Sequence, residues 1–247
     1  MKKHEFIYGM HAVKMVLQSR PRDVMELLVQ SGRHDQRMTE LLSLAEAHDI
    51  SRNTLSRVKL EELVGEHSVH QGVVARCKPM AAWTEKDLMD CIEASTDRVV
   101  ILILDGVQDP HNLGACLRSA NAFGVTAVIA PKDRAVALTD VVRKVSCGAA
   151  DQTPFIAVTN LNRVIKNLQE AGVWFVGLDS EATLSLSEVD LKGNIGIVMG
   201  GEGQGLRRLT REICDYLAKI PMRGTVESLN VSVATGVALY ETQRQRK

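Results

Sequence analysis

No apolar run in this chain approaches the roughly 18 residues that would suggest a membrane span, so no bilayer anchor is expected. Net charge is missing too. Lys plus Arg number 30 and Asp plus Glu number 30, so long-range electrostatics does not announce a nucleic-acid partner, and any RNA contact must come from local patches. The 5 cysteines, at 77, 91, 116, 147 and 214, form no CxxC pair and are odd in number, which fits reduced thiols rather than a disulfide framework or a zinc site. The two lysines of MKKHEFIYGMHAV have no apolar core after them, so the segment does not read as an export signal, and a cytoplasmic setting is the expectation. GK[ST] is absent, which removes the Walker phosphate loop, and no Ser, His and Asp form a nucleophile elbow.

What is present suits a globular chain of one or two domains with a substantial core: 45% of residues are hydrophobic and 24% charged. Residues 1–79 read as a small α/β unit. Val13, Val16 and Leu17 mark a helix, Met25–Val29 a strand, Met38, Leu41, Leu42 and Ala45 a second helix, and Gly72–Cys77 a β-branched run. His67 and His70 could pair on a metal, but no third or fourth ligand stands at a zinc-like spacing, and no metal is expected. Residues 80–98 read as a linker with a helical turn or two, opening after Pro79 and closing in Ala94-Ser95-Thr96-Asp97. From 99 to 247 the pattern alternates. Val99–Leu104, Ala127–Ala130, Phe155–Val158, Trp174–Leu178 and Ile195–Met199 read as strands covered on both faces, with helices between them, predicting a largely parallel sheet. One helix is marked by Leu161, Val164, Ile165 and Leu168, another by Leu206, Leu209, Ile213 and Leu217.

Three stretches carry the chemistry. Ile195–Leu206, IGIVMGGEGQGL, is an apolar run that breaks into Gly200, Gly201, Glu202, Gly203 and Gly205, a strand-to-helix turn almost bare of side chains and open to a polar small molecule. Ile220–Tyr240 leads through a polar loop to Ser228-Leu229-Asn230, where Asn230 stands as an N-cap, and the uncharged helix after it is expected to be buried on most of its circumference. Leu104–Gly124 places Asn112 in a loop and Arg118 on a helix near the end of the first strand. By spacing alone Asn112 serves equally as a cap and Arg118 as a surface cation. The glycine pattern falls short of the GxGxxG dinucleotide fingerprint and comes late in the chain.

Taken together, Asn112-Leu113-Gly114-Ala115 with Arg118, Met199–Leu206, and Ile220-Pro221-Met222 with Ser228–Ser232 resemble the three ordered motifs of the SpoU (TrmH) branch of the SPOUT RNA methyltransferases. Tyr8–Val13 and His70–Ala75 are similar to a substrate-binding domain related to ribosomal protein L30e. The resemblance implies an α/β protein whose C-terminal parallel sheet carries a deep trefoil knot, with a small N-terminal L30e-like domain. Spacing would not suggest a knot, since knots are nearly absent from proteins.

Further implications concern the reaction. The resemblance points to S-adenosylmethionine as methyl donor, held by backbone groups at Gly200, Ile220 and Leu229, and to 2′-O-methylation of a guanosine in 23S rRNA, in the loop that pairs with the CCA end of peptidyl-site tRNA. Arg118 is implied to activate the 2′-oxygen, with Asn112, Glu202, Ser228 and Asn230 arranging the site. A guanidinium with a pKa above about 12 is a poor proton acceptor and a good partner for developing alkoxide charge. The implied partners are 23S rRNA, free or in a ribosome assembly intermediate, and a second copy of the chain. Arg207, Arg208 and Arg211, Arg143-Lys144, Lys132 with Arg134, and the terminal Arg244, Arg246 and Lys247 are candidates for tracking phosphates. Three alternatives stand beside this reading: a tRNA ribose methyltransferase of the same family, an L30e-like RNA binder without catalysis, and a nicotinamide enzyme.

Overall fold

A computed structural model describes residues 4–33, 35–66, 68–79 and 81–247. The chain divides into two compact units, 1–81 and 82–247. In the first, β1 (Glu5–Tyr8), α1 (Met10–Ser19), β2 (Val24–Gln30), α2 (Gln36–Glu46), β3 (Arg52–Leu55), α3 (Arg57–Val64) and β4 (Val73–Cys77) follow one another. The strands form one sheet in the order β1-β4-β2-β3, with β4 antiparallel to both neighbours and β3 parallel to β2. Val13, Val16 and Leu17 of α1 and Met38, Leu41 and Ala45 of α2 bury against Leu27, Val29, Val73 and Ala75, the apolar faces that helical and strand periods place inward. Of the histidine pair weighed for a metal, His67 lies outside the described residues.

The second unit opens with α4 (Glu85–Glu93) in the stretch expected as a linker. Thr84 accepts from the Asp87 backbone N–H and Asp87 accepts from that of Thr84, a reciprocal cap, and Leu88 and Ile92 enter the unit's core. There follow β5 (Val100–Asp105), α5 (Pro110–Ala122), β6 (Ala127–Pro131), α6 (Asp140–Val145), α7 (Ala149–Gln152), β7 (Phe155–Val158), α8 (Leu161–Glu170), β8 (Trp174–Leu178), β9 (Leu184–Ser185), β10 (Ile195–Gly200), α9 (Arg208–Ile213), β11 (Tyr216–Lys219) and α10 (Val231–Gln245). Seven strands make a sheet in the order β7-β6-β5-β10-β8-β11-β9, and every pairing in it is parallel.

β5 shows why an unbroken apolar run was needed. Val100, Leu102 and Leu104 face α5 and α10, while Ile101 and Ile103 face α4 and α8, so both sides of the strand are dry. Each fully buried aliphatic side chain of this kind contributes about 1.5–3 kcal/mol.

Two expectations are corrected. Leu217, at helical spacing from Ile213, lies in β11, because α9 stops at Ile213 and the chain extends after Cys214. α10 is not buried on most of its circumference: Val231, Thr235, Ala238, Leu239 and Thr242 face inward, while Val233, Val237 and Tyr240 are exposed. Lack of charge marked that side as apolar. It did not mark it as covered within one chain.

Candidate active site

β10 ends at Gly200 and enters a tight turn before α9. The turn is closed at its neck, where Gly205 N donates to Gly201 O at 3.1 Å in an isolated antiparallel bridge. A Cβ at Gly200 would lie 2.1 Å from the carbonyl carbon of Gly205 and 2.4 Å from Leu206 N, so the neck closes only around glycine. Gly203 and Gly205 stand at φ +77 and +62, and a Cβ on either would meet nothing within 4 Å. The rim is therefore bare backbone facing open space.

Against this turn lies a cavity of about 490 Å³. Gly200 and Glu202 line it from the turn, and Ile220, Ser228 and Leu229 line it from the segment between β11 and α10. Asp179 and Arg211, an ion pair at 2.8 Å, add a charged wall. The volume suits a nucleoside-sized ligand, and its place at the carboxyl ends of parallel strands is where such sheets receive one.

A side-chain joint closes the cavity's edge. Asn112 Nδ2 donates to Glu202 Oε1 at 2.6 Å, and Asn230 Nδ2 donates to the same oxygen at 3.0 Å and to Asn112 Oδ1 at 3.0 Å. Asn230 Oδ1 accepts from Ser232 N at 2.9 Å and from Ser232 Oγ at 2.6 Å, so it caps α10 with its oxygen while its nitrogen reaches the joint. Asn112 is not a cap and not in a loop. Asp109 caps α5, accepting from His111 N at 2.9 Å, and Asn112 lies inside the first turn with its side chain buried toward Glu202.

Arg118 is placed apart from this group. It lies on an exposed part of α5, outside the cavity lining, with Nη1 3.8 Å from Cys147 Sγ. Several cations expected to face RNA have other work: Arg208 pairs with Glu212, Arg211 with Asp179, Arg244 with Glu241 and Arg143 with Asp151. Arg246 ties the chain end to the carbonyls of Leu191 and Arg98, both at 3.1 Å. Sequence reasoning passed over Asp105, a buried carboxyl at the end of β5 held against Arg207. Its signal was a lone acid closing an otherwise apolar strand.

Comparison with known proteins places the chain. Residues 99–240 match the model of the SpoU rRNA Methylase family. The chain belongs to that family. Residues 6–83 match the domain described as RNA 2′-O ribose methyltransferase substrate binding. A relative from Coxiella burnetii, named 23S rRNA (guanosine-2′-O-)-methyltransferase RlmB, is 56% identical over 247 residues, covering 100% of this chain and 98% of its own. The protein of the same name from Shewanella oneidensis is 53% identical, covering 100% of both. Among solved structures, the SpoU methyltransferase AviRb from Streptomyces viridochromogenes, in complex with the cofactor AdoMet, matches with a TM-score of 0.80 at 25% identity, over 99% of this chain and 91% of its own.

Proposed function

We propose that this chain transfers a methyl group from S-adenosylmethionine to the 2′-oxygen of a guanosine in 23S rRNA, in the loop that pairs with the CCA end of peptidyl-site tRNA. The observation that carries the reading is the Asn112–Glu202–Asn230 joint at the edge of a glycine-rimmed cavity, in a chain 56% identical to a relative named for that reaction. The cavity fits the donor: Gly200 admits no side chain, Gly203 and Gly205 present open backbone, and Ile220 and Leu229 supply apolar walls. When bound, S-adenosylmethionine supplies a methyl group already activated by its positive sulfur.

The protein's remaining tasks are alignment and charge. Gly200, Ile220 and Leu229 would hold the donor by backbone groups. The joint fixes Glu202 and Asn230 relative to one another and to α5, and Ser228 lines the cavity where a ribose edge would enter. Arg118 would stabilise charge developing on the 2′-oxygen, a guanidinium's natural role, with the proton passing to water or phosphate.

Arg118 performs that role in our reading across a homodimer. Val233, Val237 and Tyr240 recur along the exposed side of α10, which packs on α5, and such an uncharged face is suited to a second copy. In this reading a second copy covers that face, and the arginine of one chain serves the cavity of the other. The trefoil knot belongs to this reading as well, with the C-terminal segment passing through a loop. The N-terminal unit, of L30e-like kind, would present 23S rRNA or an assembly intermediate in the cytoplasm, and the target nucleotide must be splayed from its loop to reach the donor.

Calorimetric titration with S-adenosylhomocysteine and NAD, followed by transfer of a labelled methyl group to RNA, tests the reading. Binding of the first ligand alone, with label that makes the adjoining phosphodiester alkali-resistant, supports it. NAD binding, or RNA binding without transfer, defeats it.

A further inference from the structure

Asp105 touches both ends of the glycine turn. Its backbone is in register with Gly200, where β10 runs beside β5 and the turn begins. Its carboxyl, fully buried, meets Arg207, the residue directly after the turn: Oδ2 accepts from Arg207 N at 3.2 Å, and Oδ1 lies 3.4 Å from Arg207 Nε. Oδ1 has no hydrogen-bond partner among the described residues, so this guanidinium is the charge set against it.

The path of the arginine explains two further contacts. Its guanidinium passes over Gly106, at φ +93, where a Cβ would lie 3.5 Å from Nη2, and it approaches the Asp133 carbonyl at 3.4 Å. Gly201 in turn sits on Gly106, where a Cβ would come within 2.6 Å of the Gly106 carbonyl oxygen. The turn, the end of β5 and the loop after β6 are thus stacked, and the Asp105–Arg207 pair spans them. An arginine whose backbone and side chain both engage one buried carboxyl is poorly placed to follow a phosphate.

We propose that Asp105 and Arg207 form a latch that holds the glycine turn in its donor-receiving shape, with both acting as positioning residues for methyl-donor binding. The inference rests on reading the cavity as the donor site. Removing the latch lets the outgoing end of the turn move away from β5. The backbone rim then loses its fixed spacing, while the Asn112–Glu202–Asn230 joint, held from α5 and α10, keeps its own bonds.

The test uses the full chain with Arg207→Ala, Arg207→Lys, Asp105→Asn and the Arg207→Ala/Asp105→Asn double variant, reading S-adenosylhomocysteine affinity, donor and RNA KM, kcat and thermal unfolding. Expected is an affinity for S-adenosylhomocysteine weakened by about tenfold in Arg207→Ala, which removes the guanidinium set against the buried carboxyl while the backbone N–H of residue 207 still donates to Oδ2. Donor KM rises in step, kcat at saturating donor stays near that of the parent, and Arg207→Lys recovers part of the loss. The double variant is no weaker than the weaker single, as coupled residues require. If Asp105→Asn does not fold, Arg207→Ala, at a partly exposed side chain, carries the test. An unchanged donor KM with a raised RNA KM would make Arg207 an RNA contact and overturn the latch. A parent protein that binds no S-adenosylhomocysteine overturns the donor-site reading, and the latch with it.

Discussion

Asn112 Nδ2 lies 2.6 Å from Glu202 Oε1 although 90 positions separate the two residues. That bond joins the helix after the first strand of the sheet to the glycine turn, and Asn230 adds the C-terminal helix to the same oxygen at 3.0 Å. Replacing Glu202 by Ala leaves two amide donors without their shared acceptor. Methylation should fall roughly a hundredfold, the cost of misplacing groups that must be aligned within about an ångström. Glu202→Gln retains one carbonyl acceptor and should lie between the variant and the parent in single-turnover rate. Equal rates for all three would remove Glu202 from the site.

Gly200 and Gly203 should respond in opposite ways to a methyl group. At Gly200 the added carbon would sit 2.1 Å from backbone that cannot move without opening the turn, so Gly200→Ala should abolish S-adenosylhomocysteine binding and lower the melting temperature. At Gly203 nothing lies within 4 Å, and only its φ of +77 resists. Gly203→Ala should cost about 1–2 kcal/mol of stability. Titration and thermal unfolding of the two variants check the contrast.

Arg118→Ala should bind S-adenosylhomocysteine as the parent does and lose methyl transfer. If the arginine serves the other copy's cavity, mixing Arg118→Ala with Glu202→Ala chains recovers part of the activity that neither has alone. A mixture as inactive as its components would place Arg118 in the service of its own chain or of none.

Cys116, which is buried, and Cys214, which is half-buried, give a pH prediction. Burial pushes Cys116 up from an ordinary value near 9 to about 11, partly opposed by its contact with the Thr235 hydroxyl. Burial, then the carboxylates of Asp215 and Asp105, push Cys214 up to about 12. The unfolded chain would ionise these thiols first, so the stability they contribute is complete below about pH 9 and is lost as pH rises through 11 and 12. Iodoacetamide at pH 9 should label exposed Cys147 well before either of them, as read by peptide mass spectrometry.

Much of this arrangement was legible in the sequence, for definite reasons. β5 and β10 announced themselves because strands covered on both faces need unbroken apolar runs, and the glycine turn because close backbone approach needs glycine. The short strands were illegible. Arg52–Leu55 has three exposed residues and no inward stripe to reveal it, and Tyr216–Lys219 continued an apolar spacing that suited a helix. Asn112 and Asn230 could be recognised by motif, but their shared acceptor depends on three segments meeting in space. Asp105 was passed over because a single acid after six apolar residues reads as the end of a strand, and only the fold sets Arg207 against it. The exposed position of Arg118 follows from which side of α5 faces the sheet, which spacing does not orient absolutely.

The most direct measurement incubates the purified chain with unmodified 23S rRNA and with tRNA in separate single-turnover reactions containing labelled S-adenosylmethionine, and maps the methylated nucleotide by alkaline resistance. The account predicts one 2′-O-methylguanosine, in the 23S rRNA loop that pairs with the CCA end of peptidyl-site tRNA. Label confined to tRNA, on a base, or on no RNA at all would contradict it.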